Sequence, residues 1–98
     1  MLMTIALLAA GPMALADSAN EALASCQFAA SRAAGARSET AAQFAVTLER
    51  SCRNEEDTAR RTAIAAMINR RLCRTEAAQR IAEASRLARA AVLAAYGP

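Results

Sequence analysis

Three cysteines are the side chains of this chain best suited to chemistry: Cys26, Cys52 and Cys73. A thiol can join another as a disulfide, or act as a thiolate nucleophile or metal ligand. Spacing narrows the choice. The stretch from Cys52 to Cys73 has a mostly helical pattern and would span about 31 Å along one helix. A disulfide needs Cα atoms within about 7 Å. Cys26 and Cys52 instead fall on the apolar stripes of consecutive helices joined by a turn at Gly35. They are the expected disulfide pair, although an antiparallel hairpin leaves their levels several residues apart. A chain with no intramolecular bond is the alternative. Cys73 is then the candidate free thiol, for redox exchange or dimer formation. Arg70, one turn earlier, favours a thiolate there, whereas a position near a helix C-terminus opposes one. The plainer reading of Cys73 is a small apolar residue at a helix end.

Arginine is the second chemical resource. Neither Lys nor His occurs, so every basic side chain is Arg. Arg60, Arg70, Arg71 and Arg74 fall within about 100° of arc if one helix carries them all. Arg86 and Arg89 follow on the last helix. The planar guanidinium fork binds carboxylate and phosphate bidentately, so these four are candidate anion-binding residues. An ordinary solvated face, paired with nearby acids, is the competing explanation. Charge is unevenly distributed. Residues 17–57 hold seven acids and four Arg, a net of −3, and residues 58–98 hold two acids and eight Arg, a net of +6.

The inventory excludes more than it offers. Without His there is no Ser-His-Asp triad, no Cys-His pair and no imidazole zinc site. Without Lys there is no Schiff base, no Ser-Lys dyad and no P-loop lysine. Gly11, Gly35 and Gly97 are too few and too scattered for a phosphate cradle. Three dispersed cysteines do not make a metal site, and no haem-attachment motif occurs. Glu55, Glu56 and Asp57 are the one carboxylate cluster. Adjacent residues on a helix diverge, so capping and ion pairing account for them better than acid–base catalysis does. These exclusions point to a protein that is not an enzyme and needs neither cofactor nor metal.

The elements that must position these residues read as helical throughout. Pro occurs only at Pro12 and Pro98, so nothing between them blocks a helix. Strand-favouring residues are scarce and never alternate. A first helix is predicted over 18–34, with Leu23, Cys26, Ala30 and Ala33 on one stripe and Phe28 widening the face. Gly35 is the expected stop. Ser38 is the expected N-cap of a second helix carrying Phe44, Leu48 and Cys52. Asn54, followed by three acids, suits a third cap. Leu48 and Ile64 lie about 160° apart on a straight helix, which places a break near Asn54 or gives one long helix different neighbours along its length. Ile64, Ile68 and Leu72 form the third stripe. Thr75 is the expected cap of a last helix with Ile81, Ala84, Ala88, Ala91 and Ala95 inward. Four acid–Arg pairs at i,i+4 support the helices: Glu49–Arg53, Glu56–Arg60, Asp57–Arg61 and Glu76–Arg80. The expected fold is all-α, a small helical hairpin or a three- or four-helix bundle. Its alanine-rich core is marginal and would gain from a staple, a partner or a second copy.

Residues 1–16 read as an export signal. Leu2 to Ala10 are apolar, Gly11-Pro12 interrupts them, and Ala14-Leu15-Ala16 has the small-x-small form that signal peptidase accepts. Its n-region has no Lys or Arg, and a buried N-terminal helix is the alternative reading. Residues 17–98 would then form a single small helical domain with no transmembrane segment. Abundant Ala and Arg fit a GC-rich bacterial genome, so a periplasmic or secreted location is expected. The expected role is structural or interactive, through a protein partner or self-association. An Arg-rich module contacting envelope phosphates or acidic partners is one alternative, and a thiol redox protein using Cys73 is another. With three aromatic residues for base stacking, nucleic acid is not an expected partner.

Overall fold

A computed structural model describes the backbone of residues 2–97 and the side chains of residues 13–97. Met1 and Pro98 lie outside the described residues, as do the side chains of the expected export segment before Met13. The fold is all-α, as expected. The described residues form four helices: α1 (Leu2–Ala36), α2 (Ala41–Ser51), α3 (Arg53–Asn69) and α4 (Arg74–Ala95). α1 runs past Ser18, the predicted start, and takes in the junction at Ala16–Asp17. Its most extensive partner is α3, and it also packs on α2, while α4 folds back along α3. No described helix is long and apolar enough to cross a membrane.

The helix ends are where the structure departs from expectation. α1 does not stop at Gly35. It continues to Ala36, and Ser38 adopts the left-handed conformation at φ 55°. The Ser38 N–H donates to the Gly35 carbonyl at 3.0 Å and the Glu39 N–H to Ala34 at 3.0 Å. This is a Schellman closure, in which two terminal carbonyls are satisfied by the residues that follow. Ser38 therefore ends one helix rather than starting the next. Thr40 caps α2, and its side chain and that of Gln43 exchange reciprocal bonds to backbone N–H groups at 3.2 and 2.8 Å. Such a capping box satisfies two otherwise unpaired donors.

The expected break in the middle of the chain falls at Cys52, not at Asn54. Cys52 has φ −115° and ψ 17°, outside the helical range, and separates α2 from α3 by a single residue. Helical bonding nearly bridges the bend: the Cys52 N–H donates to Leu48 at 3.0 Å, and the Glu56 N–H donates to Cys52 at 2.9 Å. Here both sequence readings have a part, because the rod is almost continuous yet changes direction enough to bring Leu48 and α3 onto one neighbour. The end of α3 repeats the earlier closure. Arg71 is left-handed at φ 70°, with its N–H on the Ile68 carbonyl at 2.9 Å and the Leu72 N–H on Met67 at 3.2 Å.

Seven of the ten buried apolar residues among those described are alanines. A buried methyl stabilises by about 0.8 kcal/mol, whereas a buried Phe or Leu gives about 1.5–3 kcal/mol. The large residues are concentrated at one end. Phe44 and Leu48 are 0% and 2% exposed and pack with Ala30, Ala34 and Cys52. Val92, Leu93 and Tyr96 of the C-terminal segment close over them. The Phe44 and Tyr96 rings stack with centroids 4.2 Å apart. The Tyr96 hydroxyl donates to the Glu39 carbonyl at 2.7 Å, tying the chain's end to the α1–α2 turn.

The inward face of α4 also differs from the predicted stripe. Ala77 is buried, and Ile81, Ser85, Arg89 and Val92 are half-buried, while Ala84, Ala88, Ala91 and Ala95 are exposed. On this covered face Arg89 reaches across to pair with Glu56 of α3. Phe28, expected to widen the α1 stripe, is 66% exposed with the Arg32 guanidinium over its ring.

Candidate functional site

The cysteines sort as expected. Cys26 of α1 and Cys52 of the α2–α3 bend form a disulfide with Cα atoms 5.8 Å apart. The bend supplies what an ideal hairpin lacks, because it carries Cys52 inward against Ala30 and Ala34. In the loop-closure model a 26-residue separation gives about 3.5 kcal/mol of stabilisation. For a core of alanines that is a large share of the whole.

Cys73 is free and exposed. It does not sit at a helix C-terminus, because the Schellman closure ends α3 at Asn69. Cys73 is instead the N-cap of α4, and its sulfur accepts the Glu76 N–H at 3.4 Å. Thr75, the predicted cap, lies inside the helix. The sulfur is thus at the positive end of the α4 dipole.

The four candidate arginines do not share a helix face. Arg60 lies mid-way along α3 and donates to Asp57 at 2.6 Å. Arg70 is the C-cap of α3, Arg71 is left-handed in the turn, and Arg74 opens α4. The arc drawn through all four required α3 to continue to residue 74, and it stops five residues short. What the structure brings together is Arg70, Arg71 and Arg74, all exposed. None of the three makes a side-chain hydrogen bond or an ion pair among the described residues. Six other arginines do pair: Arg37, Arg53, Arg60, Arg80, Arg86 and Arg89. Two of the predicted i,i+4 pairs form, Glu49–Arg53 and Glu76–Arg80. Glu56 chooses Arg89 and Asp57 chooses Arg60, because α4 offers Glu56 a less exposed partner than its own helix does.

Glu39 is the polar centre of the opposite end, and sequence reasoning assigned it no role. Its carboxylate accepts from the Thr47 hydroxyl at 2.7 Å and from Arg37 Nε at 2.8 Å. These bonds, Thr47 first, hold its pKa below the ordinary value. The Thr-x-x-Gln spacing at Thr40–Gln43 was the signal that would have located this turn. Elsewhere, Arg86 lowers the Glu83 pKa by hydrogen bonding, and Glu83 raises that of Arg86 in return.

A groove of about 220 Å³ runs where α1 and α4 both lean on α3. Leu23, Ala59, Ala63, Ile81 and Ala88 line it, and the Glu56–Arg89 pair crosses one side. It holds no nucleophile with an adjacent base, and no group of acids and cysteines suited to a metal occurs among the described residues. The arrangement can present apolar and guanidinium surface but offers no pair of groups set to move a proton. No family model matches the chain, and neither a curated protein nor a solved structure does.

Proposed function

We propose that this chain is an exported helical protein, periplasmic or secreted, that acts by contact with a partner rather than by catalysis. The observation that carries the reading is the Cys26–Cys52 bond. Disulfides persist in oxidising compartments and are rare in the reducing cytosol. The small-x-small motif ending at Ala16 supports the same location. Contact rather than catalysis follows from the residues: no His, no Lys, and large apolar side chains left at the surface, Phe28 at 66% and Leu87 at 55% exposure. Fractionation of the producing cell with N-terminal sequencing tests the location. Recovery outside the cytoplasm with Asp17 at the N-terminus is expected, and an intact cytoplasmic chain would refute it. Sedimentation across a concentration range tests self-association.

A second reading, an anion-binding module, is favoured by the three unpaired arginines at the α3–α4 turn. It requires binding that weakens with salt, since exposed charges are screened over about 10 Å at 0.1 M. Arg60 drops out of that module, because Asp57 already occupies it.

A further inference from the structure

We infer that α1 carries a second, latent start, and that removal of residues 1–16 brings it into use as a capping box between Ser18 and Glu21. This rests on the exported reading above and says how the fold outlasts the cut. In the intact chain α1 is one unbroken helix from Leu2 to Ala36, so the Ala16–Asp17 junction lies within it. An interior N–H of a helix already has a carbonyl four residues back. The signals of a helix start are nevertheless present there. Ser18 is followed three residues later by Glu21, the spacing of a capping box. Asp17 and Glu21 would set two acids at the positive end of a shortened helix. Asp17, Ser18 and Glu21 are all exposed. Neither Ser18 nor Glu21 makes a side-chain hydrogen bond or an ion pair among the described residues, so the intact helix leaves both idle.

The cut removes the carbonyls of Ala14, Leu15 and Ala16, which are the acceptors four residues before Ser18, Ala19 and Asn20. With Ser18 as N-cap, its hydroxyl accepts from the Glu21 N–H and the Glu21 carboxylate accepts from the Ser18 N–H. The molecule builds this closure once already. Thr40 and Gln43, at the same spacing, exchange such bonds at 3.2 and 2.8 Å at the head of α2. Packing permits a restart at Ser18. Leu23 and Cys26 are the first α1 residues against the large-residue core, and both lie beyond it. Before Asp17, Met13 and Leu15 are 42% and 64% exposed, and Ala16 is the one buried residue among the described side chains. Ala19, directly after Ser18, is also buried and holds the restarted helix to the bundle.

Thermal melts of Ser18→Ala test the inference in the two forms that the exported reading gives this protein, the full chain and the chain beginning at Asp17. The two forms should respond with opposite signs. In the full chain residue 18 is an exposed interior position of a helix, where Ala is the better former, and Tm rises by about 2–3 °C. In the shorter chain the same change removes the cap, and Tm falls by about 4–8 °C. Ser18→Asn, a cap of equal rank, keeps the shorter chain within about 2 °C of its parent. Hydrogen exchange reads the cap itself: the Glu21 amide of the shorter chain is protected, and Ser18→Ala releases it. The same sign in both forms would overturn the inference, as would a shorter chain that does not fold. A larger loss from Asp17→Ala than from Ser18→Ala would overturn it in favour of a start one residue earlier. Whether the cell makes the cut is read separately, from the N-terminal sequence of the recovered chain. An uncut chain refutes the exported reading and leaves the melts to decide the helix start.

Discussion

The two ends of this molecule are built from different materials. At the α1–α2 turn, Phe44, Leu48, Tyr96 and the Cys26–Cys52 bond gather nearly all the large buried surface and the covalent staple. At the α3–α4 turn the buried residues are alanines such as Ala66 and Ala77, and Met67, Ile68 and Leu72 are only half covered. One end is a closed core with a tyrosine hydrogen-bonded across it. The other is a lightly packed turn carrying unpaired arginines. The difference teaches that a chain poor in large apolar residues can concentrate them, anchor one end and leave the other lightly packed.

The largest effect should come from emptying the closed end. Phe44→Ala is expected to cost about 3–5 kcal/mol, while Ile68→Ala at the open end should cost about 1–2 kcal/mol because Ile68 is already half exposed. Urea unfolding followed by circular dichroism would compare them, and equal losses would erase the distinction. Reduction of Cys26–Cys52 comes next, at about 3.5 kcal/mol. Cys73→Ser, by contrast, should leave the unfolding midpoint nearly unchanged.

The Glu39 clasp allows a finer test. Tyr96→Phe keeps the ring stack but removes the hydroxyl donor to the Glu39 carbonyl, for about 1 kcal/mol. The Glu39 carboxylate is favoured in the folded state by Thr47 and Arg37. Because its folded pKa is depressed, its contribution is present above the ordinary carboxylate range and is lost as pH falls through the folded value. Unfolding midpoints from pH 7 to pH 3 should therefore fall more for the native chain than for Glu39→Gln. A parallel fall would remove Glu39 from the account.

Backbone substitutions give the smallest effects, and they are gains. Gly35 lies inside α1 with open space where a Cβ would stand, so Gly35→Ala should stabilise by up to about 1 kcal/mol. Arg71 holds a left-handed conformation that glycine adopts without strain, so Arg71→Gly should also stabilise, by several tenths to about 1 kcal/mol. Thermal melts would register both as modest increases in Tm.

Sequence carried the fold class and the disulfide because both rest on periodicity. An interior without proline and apolar residues at helical spacing leave little choice but helices, and the stripes placed Cys26 and Cys52 on facing sides. Helix ends were less legible. Gly35 looked like the left-handed residue, yet Ser38 and Arg71 take that role, since a Schellman closure needs a particular backbone geometry and only prefers glycine. Misplacing the end of α3 joined Arg60 to Arg74 on one helix and put Cys73 at the wrong pole. The covered face of α4 was legible only at Ile81, because Ser85 and Arg89 lie on it beside a Glu56–Arg89 contact between distant parts of the chain.

Native-state hydrogen exchange measured on the oxidised and the reduced chain tests the contrast between the ends most directly. The account predicts that amides from Ala30 to Ala34 and from Phe44 to Cys52 exchange slowest, that those near Arg70 to Glu76 exchange fastest, and that reduction collapses the gap. Uniform protection along the chain, or a slow α3–α4 turn that survives reduction, would contradict it.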